Sequence, residues 1–563
     1  MSDLSTVEFL PGTRRLYDEN GEILPGDEGL QKQGDIILVP QPTASPNDPL
    51  NWGLLHKIWH SALVCYIVGF TAATSNDAGS ASDGINSDYG IDYSYFNTGA
   101  GVLFLGIGYW TLLSSPATHL YGRRILYLVS MTWSIIGNIW FGYVKTYNDV
   151  IWTQLLVGAS ESVAEAVVQL SLLDIWFEHQ NGTVLGLYTL ATAVGTYLGP
   201  LVAGYIADSN LGYTWIGFLG AILSGFTLVL FFFGFEETAF RRDRHFVNRG
   251  DRYLIEGVQV SDKTIGEHVV QDAERLDHNK KMITENLDLT VLERHRVSVS
   301  YSKPKTYFER IRIITPAPNL RGIGFKQFFV RLFHTLRVFT FPAVWFAGVQ
   351  WGLQSSALTF YLTIQETTWY DDPYDYTDAE VGNMNIPCII GAVIGCFYGG
   401  YLSDKFVIWA TKRNKGVMES EYRLYLNLLC TAIFPTGILL FGIGSDHGWN
   451  WPVPYIGLGF IGFGYGCAGD LSITYLADSY PDMILEGMVG VAVINNTMAC
   501  AFSFVASIWL NASSVTDTFI GLGVISFVIL SLTVPMIYFG KSARRWTRQR
   551  YMRFLQIRDG FER

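Results

Sequence analysis

Glu161 and Glu165 stand four residues apart inside a long apolar run, so a helix places both carboxylates on one face, one turn apart. Ionisable groups in such runs are costly; they face a cavity, partner one another or carry function. Asp77 closes the stretch Ser75-Asn76-Asp77 at the end of a second run, and Asp470 follows the glycine-rich stretch 462–469 of a third. No Lys or Arg lies deep in any run, so these four carboxylates call for protons or a cationic ligand. Without a counter-charge in low dielectric, Glu161 and Glu165 do not both ionise, and one of them holds a proton near neutral pH. That is the chemistry of a group that carries protons and binds cations in turn. Plainer roles stand beside it: Asp77 as a helix-end cap, Asp470 as an acceptor for backbone amides freed by the glycines.

Aromatic residues complete the candidate cavity. The run at 340–363 carries Trp345, Phe346, Trp351, Phe360 and Tyr361, interrupted by Gln350, Gln354, Ser355 and Ser356. Tyr188 and Asn495–Asn496 lie in two further runs, and Gln169 is one turn beyond Glu165. Alkylammonium groups bind over aromatic faces as well as to carboxylates, whereas most aromatics in apolar spans face lipid. Polar neighbours single out Trp351 and Tyr361 as inward-facing. The substrate and proton site is therefore read as Glu161, Glu165, Asp77, Asp470, Asn76, Gln169, Trp351, Gln354, Tyr361 and Tyr188.

The elements that must position these residues are membrane helices. The chain has 563 residues, 49% hydrophobic and 16% charged, against roughly 25% charged in a typical soluble protein. Apolar runs of bilayer-spanning length, about 20 residues, fall at 57–78, 97–118, 125–145, 151–173, 184–207, 214–235, 340–363, 381–402, 424–444, 452–475, 487–509 and 519–540. They lack the period-2 alternation of barrel strands. The fold class is an all-α integral membrane protein with 12 transmembrane helices. All six cysteines (Cys65, Cys388, Cys396, Cys430, Cys467, Cys500) lie inside these runs, which fits packing and neither a disulfide framework nor a metal cluster.

Lys and Arg set the orientation. Of 39 basic residues, 19 lie at 236–338 and 8 at 541–563; others cluster at Arg123–Arg124 and at Lys405, Lys412, Arg413, Lys415 and Arg423. With both termini cytosolic, every basic residue except Lys145 lies inside. The organisation is a cytosolic tail (1–56) without a cleavable signal, a six-helix half (57–235), a cytosolic central loop (236–339), a second six-helix half (340–540) and a basic cytosolic tail (541–563) suited to an anionic leaflet. An amphipathic piece near 325–338 is expected on the inner membrane surface. The net charge of −11, with its basic residues dispersed over loops, excludes a nucleic-acid partner. Two outer loops, 79–95 with Asp83, Asp88 and Asp92 and 364–380 with Glu366, Asp371, Asp372, Asp375, Asp378 and Glu380, have no basic residue. Such a mouth concentrates cations, although ordinary solubilising acidity is an equal reading. The sequon Asn511-Ala512-Ser513 falls on the outer side as a glycosylation acceptor.

Two six-span halves joined by a long loop describe the major facilitator architecture, and short motifs support it. The stretch from Ser115 through His119 and Leu120 to Gly122-Arg123-Arg124 resembles that family's G-x-x-x-D-R-x-G-R-R loop, with His119 where the aspartate stands and Leu120 where the arginine stands. The second half has a fuller copy at Gly400 to Asp404-Lys405. Gly186 and Gly195-x-x-x-Gly199-Pro200-x-x-Ala203-Gly204 resemble the antiporter motif of the 12-span drug:H+ antiporter branch, where small residues let helices approach closely. Gln154, four residues before Gly158, stands where the family usually has arginine, which leaves the cavity friendlier to cations. Asp174, Glu178, Asp478, Asp482 and Glu486 lie at inner span ends and are expected to pair with Arg123, Arg124, Lys405 or Arg423 as gate contacts.

Further stretches, including 45–52, 73–78, 97–108, 160–166 and 480–488, resemble fungal plasma-membrane permeases for polyamines and histidinol. The resemblance implies proton-coupled import of spermidine, spermine, putrescine and other organic cations by a monomer that needs no cofactor. The alternative within the same fold is a proton-coupled exporter of cationic drugs. A non-transporting sensor would carry a long folded tail, and no triad, phosphate loop or metal cluster suggests an enzyme.

Overall fold

The computed structural model describes residues 10–15, 32–33, 36–38, 40, 42–177, 180–240, 246–248, 296–298, 303–317, 319–365, 367–414 and 416–560. Glu178, Glu366 and Lys415, each assigned a place above, lie outside the described residues.

Six helices precede the central segment: α1 (Leu54–Asn76), α2 (Ser94–Leu120), α3 (Arg124–Gly142), α4 (Tyr147–Ile175), α5 (Asn181–Ala207) and α6 (Thr214–Gly234). Six follow: α7 (Pro342–Gln365), α8 (Asp378–Arg413), α9 (Leu424–Asp446), α10 (Pro452–Ser479), α11 (Ile484–Ala512) and α12 (Val515–Arg558). Eleven of these are long and apolar enough to cross a membrane; α7, together with the helical stretch Phe325–Thr340 bent 85° from it, makes the twelfth. The expected spans are thus met, although α8 and α12 run well past the apolar runs that announced them. The bend sets the amphipathic helix Phe325–Thr335 steeply across the direction of α7. Both described ends of the chain lie at one face of the bundle, here the proximal face; the opposite face is distal.

Small residues set how tightly the helices pack. A Cβ on Gly195 or Gly199 of α5 would lie 2.1 Å from Gly69 O or 2.2 Å from Ala73 O of α1. The antiporter-like motif therefore seats α5 directly on the α1 backbone, with Pro200 inside the helix. Gly158 does the same for α4, where a Cβ would fall 2.2 Å from Leu103 O of α2.

Strands are minor among the described residues. Three antiparallel two-stranded ladders join β1 (Thr13–Arg15) to β6 (Val417–Glu419), β2 (Lys32–Gln33) to β3 (Ile36–Ile37), and β4 (Phe246–Asn248) to β5 (Arg296–Ser298). In the first, Thr13 faces Glu419 and Arg15 faces Val417. Part of the N-terminal stretch is thereby docked on the C-terminal half. Arg544 of α12 locks it there: the buried guanidinium donates to Glu419 (3.0 Å), Glu421 (2.6 Å), Thr13 (3.1 Å) and the carbonyl of Pro11. Of the basic C-terminal residues, Arg544 is thus turned into protein and away from any lipid headgroup.

Candidate functional site

Helix α4 begins in a capping box, in which Thr146 accepts from Asp149 N–H and Asp149 accepts from Thr146 N–H. From that start the 3.6-residue period carries Glu161, Glu165 and Gln169 up one face. The two carboxylates keep only 9% and 8% of their surface exposed, and Gln169 none. Ser75 of α1 faces Glu161, Asn496 of α11 faces Glu165, and Tyr188 of α5 and Tyr465 of α10 flank both. The pair therefore sits at the seam between the halves. Among the described residues neither carboxylate has an ion-pair partner.

From Tyr465, beside this pair, a series of aromatic rings extends along the seam. Trp351 lies 5.1 Å from Tyr465, Tyr465 lies 5.8 Å from Tyr197, and Tyr197 lies 6.3 Å from Tyr361, centroid to centroid. Gly469 makes room for the indole, since a Cβ there would lie 2.0 Å from the Trp351 ring. Tyr361 donates to Asn385 Oδ1 at 3.4 Å. Several buried polar atoms have no partner among the described residues: both amide atoms of Gln169 and of Gln354, and Asn495 Oδ1. Buried polar groups left unmet are uncommon and costly. Unmet amides, two carboxylates without an ion-pair partner among the described residues and a series of aromatic rings suit a polar cation with an apolar body.

Other expected residues stand apart. Asn76 is turned back on its own helix, donating to Ala72 O at 2.8 Å. Asp77 is the half-buried C-cap residue of α1. Asp470 is fully buried, its Oδ1 accepting from Thr474 at 3.1 Å and its Oδ2 without a hydrogen-bond partner among the described residues. That oxygen faces Gly186 of α5 and Gly399 and Gly400 of α8, which lie on a wide π turn (Phe397–Leu402). The charged groups that act on Asp470 are Arg423 and Asp404, which sets it with the proximal cluster and apart from the glutamate pair. Tyr197 and Tyr465 were not singled out in the sequence; Tyr197 follows Gly195 by two residues, and Tyr465 lies within the glycine-rich run before Asp470.

The contacts across the proximal seam are built from the two motif loops. In the second half Asp404 binds Arg423 Nη1 (2.8 Å) and crosses the seam to accept from the N–H (2.7 Å) and hydroxyl (2.8 Å) of Thr183, the third residue of α5. Arg423 also binds Asp478 at 2.5 Å. In the first half Arg123 pairs with Asp174 at 2.8 Å, and His119 stands 3.5 Å from Glu486, the third residue of α11. Gly122 turns the loop at φ +93, where a Cβ would meet the Glu237 carboxylate at 2.4 Å. That carboxylate accepts the N–H of Arg123 and Arg124 at 3.0–3.2 Å.

Four of the expected gate residues take other partners. Arg124 binds the backbone carbonyls of Phe235 and Phe232 instead of an acid, because the C-terminal end of α6 leaves its carbonyls unmet. Lys405 lies over the Tyr401 ring, 5.4 Å from its centroid, since Arg423 already fills the acidic niche. Glu486 takes His119, and Asp482 accepts from Tyr551 at 3.0 Å.

The distal end is joined as well. Asn97 donates to Ser507 Oγ at 2.6 Å and accepts from Thr363 at 3.0 Å, and Tyr205 donates to Asn383 at 3.0 Å. The halves thus touch at both ends and enclose the carboxylate pair. The acids of the distal loops are partly used locally: Glu380 boxes a helix start with Thr377, and Tyr213 donates to Asp88 at 2.6 Å. Hydrogen bonds from the hydroxyl and N–H of Ser94 hold Asp92 below the usual carboxylate range. Asn511 of the sequon lies in the last turn of α11.

Known proteins match this arrangement over most of their length. An uncharacterized MFS-type transporter of Schizosaccharomyces pombe is 48% identical over 560 residues, covering 98% of this chain and 96% of its own. Protein HOL1 of Saccharomyces cerevisiae is 45% identical over 581 residues, covering 98% of each chain, and meets the kinship with a yeast permease implied by the motif-bearing stretches. The proton:xylose symporter XylE shares the fold, with a TM-score of 0.55, 11% identity, and 87% of this chain and 96% of its own covered. The family model of the Major Facilitator Superfamily spans residues 62–507, and with this fold and these relatives the chain belongs to that superfamily of membrane transporters.

Proposed function

We propose that this transporter imports polyamines and related organic cations across the plasma membrane, coupled to protons, with its proximal face in the cytosol. The observation that carries the reading is the Glu161–Glu165 pair, enclosed at the seam without a basic partner and beside unmet amides and aromatic rings. A primary ammonium offers three donors and a full charge, which matches carboxylates and amide oxygens; the methylene spacer of a polyamine suits Trp351, Tyr361, Tyr197 and Tyr465. The resemblance of the quoted stretches to fungal polyamine and histidinol permeases supports the same substrate class. The bias of Lys and Arg to the proximal loops supports the orientation.

In this reading the two halves rock about the midplane site. With the distal contacts of Asn97 and Tyr205 open, the acidic mouth gathers cations. Binding neutralises Glu161 and Glu165, which lowers the cost of enclosing them. The Asp404–Thr183 and His119–Glu486 contacts then part, and the cation leaves through the proximal face. One of the two carboxylates carries a proton inward beside the cation, so the inward proton gradient drives uptake, and the empty carrier returns.

Uptake of labelled spermidine by a polyamine-uptake-deficient yeast strain expressing the chain, at pH 5 and 7.5 with and without a protonophore, tests this. Saturable, protonophore-sensitive accumulation is expected. Its absence with protein at the cell surface favours the second reading, a proton-coupled exporter of cationic drugs, for which the Gly195-x-x-x-Gly199-Pro200 motif speaks.

A further inference from the structure

The proximal end of the first half holds a cluster that transport does not use. His56 and His60 lie one turn apart at the start of α1, and Glu236 follows the end of α6. One ligand atom from each can be chosen so that all three lie within 4.8 Å of one another. His56 Nε2 is already 3.5 Å from Glu236 Oε2. His60 is 99% buried by its 1% exposure, yet neither of its ring nitrogens has a hydrogen-bond partner among the described residues. An imidazole enclosed with both nitrogens unmet is poorly served by protein alone, and it faces a second imidazole and a carboxylate.

We propose that His56, His60 and Glu236 form a binding site for a divalent transition cation of the zinc type. Two imidazoles and one carboxylate are a donor set that Zn2+ accepts, with bonds of about 2.0–2.2 Å and the fourth position left to water. Tetrahedral ligation at that length sets ligand atoms roughly 3.4 Å apart. The His56–Glu236 separation fits as it stands, and the widest pair closes by side-chain rotation. The surroundings hold the ligands: Trp52 stacks on His56 at 4.2 Å, and Phe235 packs against His60 at 5.3 Å. Aromatic walls around a site limit water and steady its ligands. The competing cation is Arg310, whose Nη1 lies 3.5 Å from Glu236 Oε2; its side chain is 40% exposed and is also held by Lys305 O, to which Nε donates at 3.1 Å. A bound ion would pin the first turn of α1 to the point where the central segment leaves α6. It would thereby tie the central segment to the half that carries Glu161 and Glu165.

The test uses the full chain in detergent, purified through a tag without histidine, stripped with chelator and titrated with zinc sulfate. Bound metal is counted after gel filtration, and melting is followed with and without zinc. One zinc per chain and a raised melting temperature are expected. Loss of an outer-sphere partner alone weakens metal sites by ~10–100-fold, so His60→Ala and Glu236→Gln each weaken binding by more than about 100-fold and abolish the melting shift. His56→Ala, at a half-exposed position, serves where His60→Ala does not fold. Replacing zinc with cobalt should give the visible absorption of a four-coordinate ion in the unaltered chain and not in the variants. A folded, cooperatively melting protein that binds no zinc, or variants that keep the same equivalent, would overturn the proposal. Neither result touches spermidine uptake, so this inference and the transport reading fail separately.

Discussion

His119 Nε2 lies 3.5 Å from Glu486 Oε1 across the proximal seam, in the place where the second half sets Asp404 against Thr183. The two latches are related positionally, since Glu486 and Thr183 are each the third residue of their helix, but the charge order is reversed. In one half the loop brings the acid and the helix N-terminus supplies the N–H; in the other the loop brings the base and the helix supplies the acid. The helix dipole favours an acid at that place. The apparent loss of the motif aspartate at position 119 is therefore a substitution of one latch by another.

Restoring the family residue should consequently do harm. His119→Asp sets a second carboxylate against Glu486 and should impair transport more than His119→Ala, with recovery in His119→Asp/Glu486→Gln. Contacting pairs couple by about 0.5–3 kcal/mol, so a double-mutant cycle on uptake rates should show several-fold non-additivity. Additive effects would mean that the two residues do not meet during the cycle.

Arg423 is 2% exposed and stands between Asp404 and Asp478. Arg423→Ala leaves two enclosed carboxylates without a cation, a type of loss that costs about 3–5 kcal/mol. A lysine cannot bridge both acids through a planar fork. Thermal unfolding in detergent should therefore show Arg423→Ala as severely destabilised and Arg423→Lys as only partly restored.

The α5–α1 contact gives a steric prediction with a built-in control. Gly195→Ala must push a methyl into Gly69 O and should lower folded yield and melting temperature sharply. Gly225→Ala of α6 meets nothing within 4 Å and should be neutral or gain up to about 1 kcal/mol from helix propensity. Equal behaviour of the two in a melting assay would contradict the packing described.

The docked N-terminal strand should come loose in acid. Burial would raise the Glu419 carboxyl, but hydrogen bonds from Lys541, Thr13 and Arg544 prevail and hold it below its ordinary value. A carboxyl lowered in the folded chain contributes stability that is complete above its unfolded value of about 4.3 and fades as pH falls through and below it. Protease cleavage near residues 10–15 should thus be slow at pH 6 and faster below about pH 4. Arg544→Ala should give the fast rate at both pH values.

The twelve spans were legible because each needs some twenty apolar residues in a row, and composition alone betrays that. Glu161 and Glu165 were legible for the converse reason, since charge is rare in such runs. The choice of partner was not. Arg544 and Pro11 are 533 residues apart in the chain, and nothing local distinguishes the arginine that is buried from those that face solvent. Arg124 was expected to take an acid because the sequence shows charges but not the unmet carbonyls at the end of α6. Tyr197 and Tyr465 were two among 31 tyrosines; only the packing of α5 against α10 brings them together. His119 looked like a missing residue because the complementary change, at Glu486, lies at the other end of the chain.

The central claim is that the Glu161–Glu165 pair binds the transported cation directly. Spermidine binding to the purified chain, measured by calorimetry for the unaltered protein, Glu161→Gln and Glu165→Gln, tests it most directly, because binding is read apart from gating and proton flow. Hydrogen bonds to charged groups contribute about 1.5–3 kcal/mol, so each variant should bind at least about tenfold more weakly while melting at or above the temperature of the unaltered chain. Unchanged spermidine affinity in both folded variants would contradict the claim and leave the pair to proton handling alone.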